Sequence, residues 1–286
     1  MSMTTDGGRA LVLGGGGVAG IAWEAGLITG LAEQGVDLAA ADLIVGTSAG
    51  SVVGTFLAHG ADLRAEIAVL ADPPPGAQRP PSARPDLTLA MEAFAILYDT
   101  TLDPVEARAR VGRMALEAPT DGAGASLEAL AERLPSREWP DRPLLVTGVD
   151  TADGTFVVWD RDGDAPLDLA VRASCSVPCV YPPVTIGGRR FMDGGARSIT
   201  NADLAKGADA VVVLEPMGYL SPRETLEREL KELDGARTAV IGPDKATIET
   251  FGTDLLNMRL WGPAFAAGLA QAETAAPVVH EVWNAA

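Results

Sequence analysis

Histidine and cysteine are nearly missing from this chain, with two of each in 286 residues. Cys175 and Cys179 stand four apart, which makes no disulfide framework, and two thiols alone do not complete a zinc site. Thiols of this kind stay reduced in the cytoplasm, the expected location. Basic residues are also short: 22 Lys and Arg face 39 Asp and Glu, a formal charge of −17. Such a surface repels nucleic-acid phosphate and anionic headgroups at long range, so no nucleic-acid partner is expected. Contact with a membrane surface would have to be transient, local and hydrophobic. Residues 1–8 lack a basic stretch followed by an apolar one, so no signal peptide is expected. Residues 10–32 are apolar and long enough to span a bilayer. Glu24 and the run Gly14 to Gly17 interrupt them, so they read as strand, loop and helix, and no transmembrane span is expected. Asp160, Asp162 and Asp164 suggest a calcium loop, yet Gly163 comes too early and Val171 stands where a bidentate Glu is required. A polar turn is expected there, and neither a metal nor a cofactor.

What is present is an ordinary globular composition, 47% apolar and 21% charged. No internal repeat and no sharp boundary divide the chain, so a single domain over residues 1–286 is expected. Residues 10–13 read as a buried strand, and 18–34 as a helix stopped by Gly35. Residues 42–45 read as a second strand, and 48–58 as a second helix ending near Gly60. Strand, helix, strand, helix is the pattern of an α/β sheet. Residues 61–134 carry helical periodicity without a strand. Residues 72–85 hold six prolines and read as a loop, 87–98 as an apolar helix, and Asp103-Pro104 as a capped helix start. Leu127 to Leu134 mark another helix. This helical insert is either a lid over a site or outer-layer packing on the sheet. Strands return at 143–149 and 155–159, joined by a turn at Asp153-Gly154. Residues 184–186 and 189–192 flank a hairpin turn, 210–214 and 238–241 read as buried strands, and the C-terminal third ends in helical periodicity.

Gly46-Thr47-Ser48-Ala49-Gly50 fits G-x-S-x-G between a short strand and a helix. That context suits a strained turn lifting a serine hydroxyl above a sheet, at a helix N-terminus that favours negative charge. Otherwise Ser48 is a plain helix cap. The run from Gly14 to Gly20 also lies between strand and helix. Gly15, Gly17 and Gly20 fit G-x-G-x-x-G, so a dinucleotide-binding module is one alternative. It needs an acidic residue ending the second strand, and Asp37 ends no clear strand. The other use of such a loop is an oxyanion hole of backbone amides. A serine needs a base. His59 lies about 16 Å along its helix from Ser48, out of reach. His280 could complete an α/β-hydrolase triad Ser48/Asp193/His280. The scarcity of histidine points instead to an acidic base, and Asp193, closing a hairpin strand before Gly194-Gly195, is the best candidate.

Taken together these blocks resemble the patatin-like phospholipase family of serine acyl hydrolases. Gly15 to Gly20 resembles its G-G-G-x-[RK]-G loop, Gly46 to Gly50 its G-x-S-x-G, and Asp193-Gly194-Gly195 its D-G-[GA]. Ala173 to Pro178 resembles the small-residue segment that precedes the last block. The likeness covers residues 10–203. It implies a patatin-like three-layer α/β/α sandwich around a mostly parallel central sheet. It implies hydrolysis of acyl esters, with lipid or phospholipid as substrate, by a Ser48–Asp193 dyad. Gly15, Gly16 and Gly17 would hold the oxyanion, with Gly20, Gly46, Gly50, Gly194 and Gly195 supporting the motifs. Ala19 departs from the pattern, standing where the family has Arg or Lys. An Asp with its usual pKa is a poor base, so burial would have to raise it.

Overall fold

A computed structural model describes residues 7–72, 87–120 and 122–284. Nearly all of the proline-rich 72–85 stretch lies outside the described residues, as does most of the 1–8 stretch. The chain begins with β1 (Arg9–Leu13), α1 (Gly17–Glu33), β2 (Leu43–Gly46) and α2 (Ala49–Ala58). The helical stretch follows as α3 (Leu63–Ala71), α4 (Thr88–Leu97), α5 (Pro104–Glu117) and α6 (Gly124–Ala131). Then come β3 (Leu144–Asp150), β4 (Phe156–Trp159), α7 (Leu167–Ser174), β5 (Val184–Ile186) and β6 (Arg189–Asp193). The chain closes with β7 (Ala210–Leu214), α8 (Arg223–Lys231), β8 (Arg237–Ile241), α9 (Lys245–Phe251) and α10 (Trp261–Trp283).

The sheet order is β5-β6-β3-β2-β1-β7-β8, with β4 paired to β3 off this path. β3, β2, β1, β7 and β8 run parallel, while β4, β5 and β6 are antiparallel to their neighbours. The central strands are apolar at nearly every position because both faces are covered. Leu11, Leu13, Ile44, Val212 and Leu214 pack toward α1, α2 and α10, with Trp23, Phe56 and Val279. The alternate residues Ala10, Val12, Leu43, Val45, Val211 and Val213 pack toward the turn at Ala202–Ala205 and α8, with Leu226. The result is a three-layer α/β/α sandwich around a mostly parallel sheet. α1 and α10 approach closely: the Trp23 indole N–H donates to the Gln271 side chain at 2.9 Å, and a side chain at Gly268 would overlap the Trp23 carbonyl.

The helical insert divides its allegiance. α3 places Leu63 and Ile67, and α6 places Leu127, in the layer of α1 and α10. α4 and α5 instead pack Ala93, Val111 and Ala115 against Val149, Met192 and Ala196, beside the strand that ends in Asp193. α5 starts as its sequence dictates, with the Asp103 carboxylate accepting the N–H groups of Val105 and Glu106. α4 buries only Ala90 and Ala93 and leaves Met91 72% exposed. α7 has no counterpart in the sequence reading, which found only a polar turn before it.

Candidate active site

The register of β3 explains how distant residues meet. β2 runs parallel to β3 and ends with Gly46 opposite Val146. β6 runs the other way and ends with Asp193 opposite Gly148. β4 pairs with β3 from Val146 to Val149, overlapping both, so it must occupy the opposite edge. β2 and β6 therefore share one edge of β3, and their ends face each other across Thr147. The Thr47 and Thr147 hydroxyls are bonded there at 2.9 Å, and the Asn201 side-chain amide donates to Thr47 Oγ1 at 3.0 Å. Gly194 lies against the Thr147 hydroxyl, where a side chain would overlap it.

Ser48 turns the chain from β2 into α2 with φ 53° and ψ −116°. That conformation costs a non-glycine residue about 1–3 kcal/mol and persists only where its surroundings fix it. Its N–H donates to Ser174 Oγ at 2.9 Å. Its carbonyl accepts the Ser51 hydroxyl at 2.7 Å and the Cys175 thiol at 3.3 Å. Gly50 lets α2 sit against β1: a Cβ there would overlap the Leu13 carbonyl. Ser48 makes no side-chain capping bond to α2, so the plain-cap reading does not apply. Its hydroxyl is instead near enough to the Asp193 carboxyl to pull that group's pKa down.

Asp193 is 4% exposed and Ser48 6%. Burial pushes the Asp193 carboxyl up to about 7, against the pull of the Ser48 hydroxyl and of the Gly195 N–H. The Gly195 bond to Oδ1 is 2.7 Å, and the Asp193 N–H donates to the Ser176 carbonyl at 2.9 Å.

The glycine loop lies against Ser48, the position of a Cβ on Gly15 being 3.5 Å from Ser48 Cβ. One expectation needs correction. The Gly15 N–H is taken up by the Ile199 carbonyl at 2.8 Å, so it anchors the loop and is not free to meet an oxyanion. Gly16 caps α1 and Gly17 begins it at φ 58°, where a Cβ would stand 2.8 Å from Leu256. Neither of their N–H groups has a backbone partner outside the helix among the described residues. The first N–H groups of a helix have none within it. Gly20 closes the turn by donating to the Gly16 carbonyl at 2.8 Å. Ala19, where a cation was expected from the family pattern, is fully buried and donates its N–H to the Leu255 carbonyl at 3.0 Å. Behind the loop, Glu24 is fully buried with both carboxyl oxygens unpaired, and burial raises its pKa well above the usual range.

The other sequence candidates lie elsewhere. His59 is at the far end of α2, its Nδ1 against the Thr55 carbonyl. His280 is in the last turn of α10. That end is tied to the segment after α1, because the Trp283 indole donates to the Asp37 carbonyl. α1 has 17 residues, which separates this end from the Gly17 end by about 25 Å. His280 therefore completes no triad with Ser48 and Asp193. Asp37 caps the short turn Leu38–Ala40 and ends no strand, which removes the ribose ligand a dinucleotide site requires. Asp160 accepts the Asp162 N–H within a turn, and no metal-binding cluster occurs among the described residues. No helix there is long and apolar enough to cross a membrane.

Sequence reasoning missed Thr147 and Asn201, and it named Ser174 only within the Ala173–Pro178 block, without a role. Asn201 sits in the left-handed region at φ 53° and also donates to the Ser198 carbonyl at 2.8 Å. Its neighbours carry no motif, and only Thr47 inside G-x-S-x-G hinted at a polar junction. A cavity of about 520 Å³ lies between the α4–α5 pair and the loop after Asp193, lined by Leu97, Ala107, Arg108, Ala196, Ile199 and Leu226 among others. Ser48 and Asp193 do not line it.

Comparison with solved structures finds VipD from Legionella pneumophila, 16% identical with a TM-score of 0.47, covering 97% of this chain and 68% of that one. The type III effector protein ExoU is 17% identical with a TM-score of 0.40, covering 98% of this chain and 54% of that one. Full-length ExoU in complex with full-length SpcU, from the type III secretion system of Pseudomonas aeruginosa, is 20% identical with a TM-score of 0.35, covering 94% and 53%. The chain thus spans little more than half the length of ExoU. Among curated proteins no significant match is found. The family model described as patatin-like phospholipase matches residues 11–206, more than half of the sequence and all three glycine-bearing blocks, and the chain belongs to that family.

Proposed function

We propose that this protein hydrolyses acyl esters of lipids, with Ser48 as nucleophile and Asp193 as its base. One observation carries the reading: β2 and β6 end side by side on β3, bringing the Ser48 hydroxyl close to a buried carboxyl whose pKa is pushed up to about 7. A carboxylate near neutrality is basic enough to accept the proton and still ionised in a useful fraction. In acylation, Ser48 Oγ adds to the ester carbonyl carbon while its proton passes to Asp193. The carbonyl oxygen becomes an oxyanion, held by the N–H groups of Gly16 and Gly17 and the positive end of α1. As the intermediate collapses, the ester C–O bond breaks and the Asp193 proton goes to the leaving alkoxide, releasing an alcohol. In deacylation, water adds to the acyl-enzyme, Asp193 takes its proton, and the acid leaves as the proton returns to Ser48 Oγ. The α4–α5 pair, packed beside Met192 and Ala196 and exposing Met91, is the part of the helical insert best placed to cover the site and meet a lipid surface.

A fluorophosphonate probe tests the nucleophile. Wild type should be labelled and Ser48→Ala should not; labelling that persists in Ser48→Ala refutes the assignment. Hydrolysis of p-nitrophenyl esters and phospholipid vesicles should fall about 10⁴-fold in Asp193→Asn. His280→Ala should retain the wild-type rate.

A further inference from the structure

Ser48 and Asp193 come from different strands, yet one short segment grips both. At the C-terminal end of α7 and just beyond it, Ser174, Cys175 and Ser176 follow one another, all buried or nearly so. Ser174 Oγ accepts the Ser48 N–H at 2.9 Å. The Cys175 thiol donates to the Ser48 carbonyl at 3.3 Å and lies 3.8 Å from Ser51 Oγ, which bonds the same carbonyl. The Ser176 carbonyl accepts the Asp193 N–H at 2.9 Å, and its hydroxyl donates to the Pro182 carbonyl at 2.7 Å. Both backbone polar groups of the nucleophile and the amide of the base are thus tied to three consecutive residues. From this geometry we propose that Ser174 and Cys175 are positioning residues: they hold the strained Ser48 backbone so that its hydroxyl meets Asp193. The inference rests on the acyl-hydrolase reading above.

The chemistry of the two side chains fits that task. A residue at φ 53° returns to ordinary backbone unless its peptide groups are held. Loss of the Ser174 acceptor leaves the Ser48 N–H unpaired in a buried site, and that penalty drives the turn to relax. The Cys175 thiol, pushed up to about 12 by burial and by the nearby Asp193, stays protonated and so keeps a proton to donate to the Ser48 carbonyl. It therefore steadies the Ser48 carbonyl without placing a second negative charge beside the base. A serine at 175 would keep the donor, whereas an alanine would not.

The test uses Ser174→Ala, Cys175→Ala and Cys175→Ser in the full chain, each checked by urea unfolding. The readouts are ester-hydrolysis kcat, KM and pH profile, with fluorophosphonate labelling of wild type as reference. Positioning predicts that Ser174→Ala and Cys175→Ala lose about 10- to 100-fold in kcat. KM should stay within about twofold. The acid limb should move to higher pH, because a displaced hydroxyl no longer holds the Asp193 pKa down. Cys175→Ser should restore kcat to within about threefold of wild type. If Ser174→Ala does not fold, the two Cys175 variants carry the same comparison. Lower urea midpoints with wild-type kcat and an unmoved acid limb would overturn the proposal. So would a Cys175→Ser variant as slow as Cys175→Ala. An unlabelled, inactive wild type would instead sink the underlying acyl-hydrolase reading.

Discussion

Ser48 holds φ 53° and ψ −116° on a turn pressed against the Gly14 to Gly17 loop, whereas Asp193 has an ordinary extended backbone at φ −48° and ψ 134°. The serine side of the site depends on conformation: a close approach at Gly50, an anchored Gly15 and two clasped peptide groups. The aspartate side depends on surroundings, since burial raises its pKa and the Ser48 hydroxyl and Gly195 N–H only partly lower it again. In the proposed reaction the nucleophile is made by where its oxygen points, the base by what its charge costs. The two sides should therefore fail in different ways when disturbed.

The largest contrast is in stability. Gly50→Ala forces a methyl into the Leu13 carbonyl and should cost about 3 kcal/mol or more, a severe case of overpacking. Asp193→Asn, which keeps the shape and removes a disfavoured charge, should lose activity while the urea midpoint at neutral pH holds or rises. A midpoint that fell as far as that of Gly50→Ala would erase the distinction. Next comes Ser48→Gly, which relieves the positive φ. It should abolish labelling and stabilise the protein by about 1 kcal/mol, read from urea unfolding. The smallest effects are in pH. The acid limb of kcat should lie near pH 7, because Asp193, as the proposed base, has to be ionised to act and burial pushes its pKa up to about 7. For stability the sign follows from the raised value. Between an unfolded pKa of about 3.9 and the folded value of about 7, the folded state binds the extra proton. Asp193 thus favours folding at low pH, and that contribution fades as pH rises through this window. Urea midpoints at pH 5 and pH 8 should differ less in Asp193→Asn than in wild type, and equal differences would contradict the burial argument.

The sheet and its helices were largely legible because the apolar runs at β1, β2, β3 and β7 and the caps at Asp103 and Gly35 are local signals. Ser48 was legible as well, since G-x-S-x-G needs only a strand before it and a helix after it. α7 was not, being eight residues long and following a polar turn, although Leu167, Ala170, Val171 and Ser174 do form one buried face. The fate of the Gly15 amide was hidden because its acceptor, Ile199, belongs to a loop nearly at the other end of the matched region. The pKa of Asp193 was equally hidden, because no residue carries burial by itself. Ser174 lies in the Ala173–Pro178 block, but its bond to the Ser48 N–H, like that of Asn201 to Thr47, joins residues far apart in sequence, and a motif does not record the partner.

The sharing of one β3 edge by β2 and β6 makes a third strand the ruler of the site. Thr147 is the single division on that ruler between the end of one strand and the end of the other. Lengthening β3 by one residue there would push the two ends apart by about 3.3 Å and turn the following side chains to the opposite face. This inner stretch of backbone, which donates no atom to any reaction, thus tolerates no insertion.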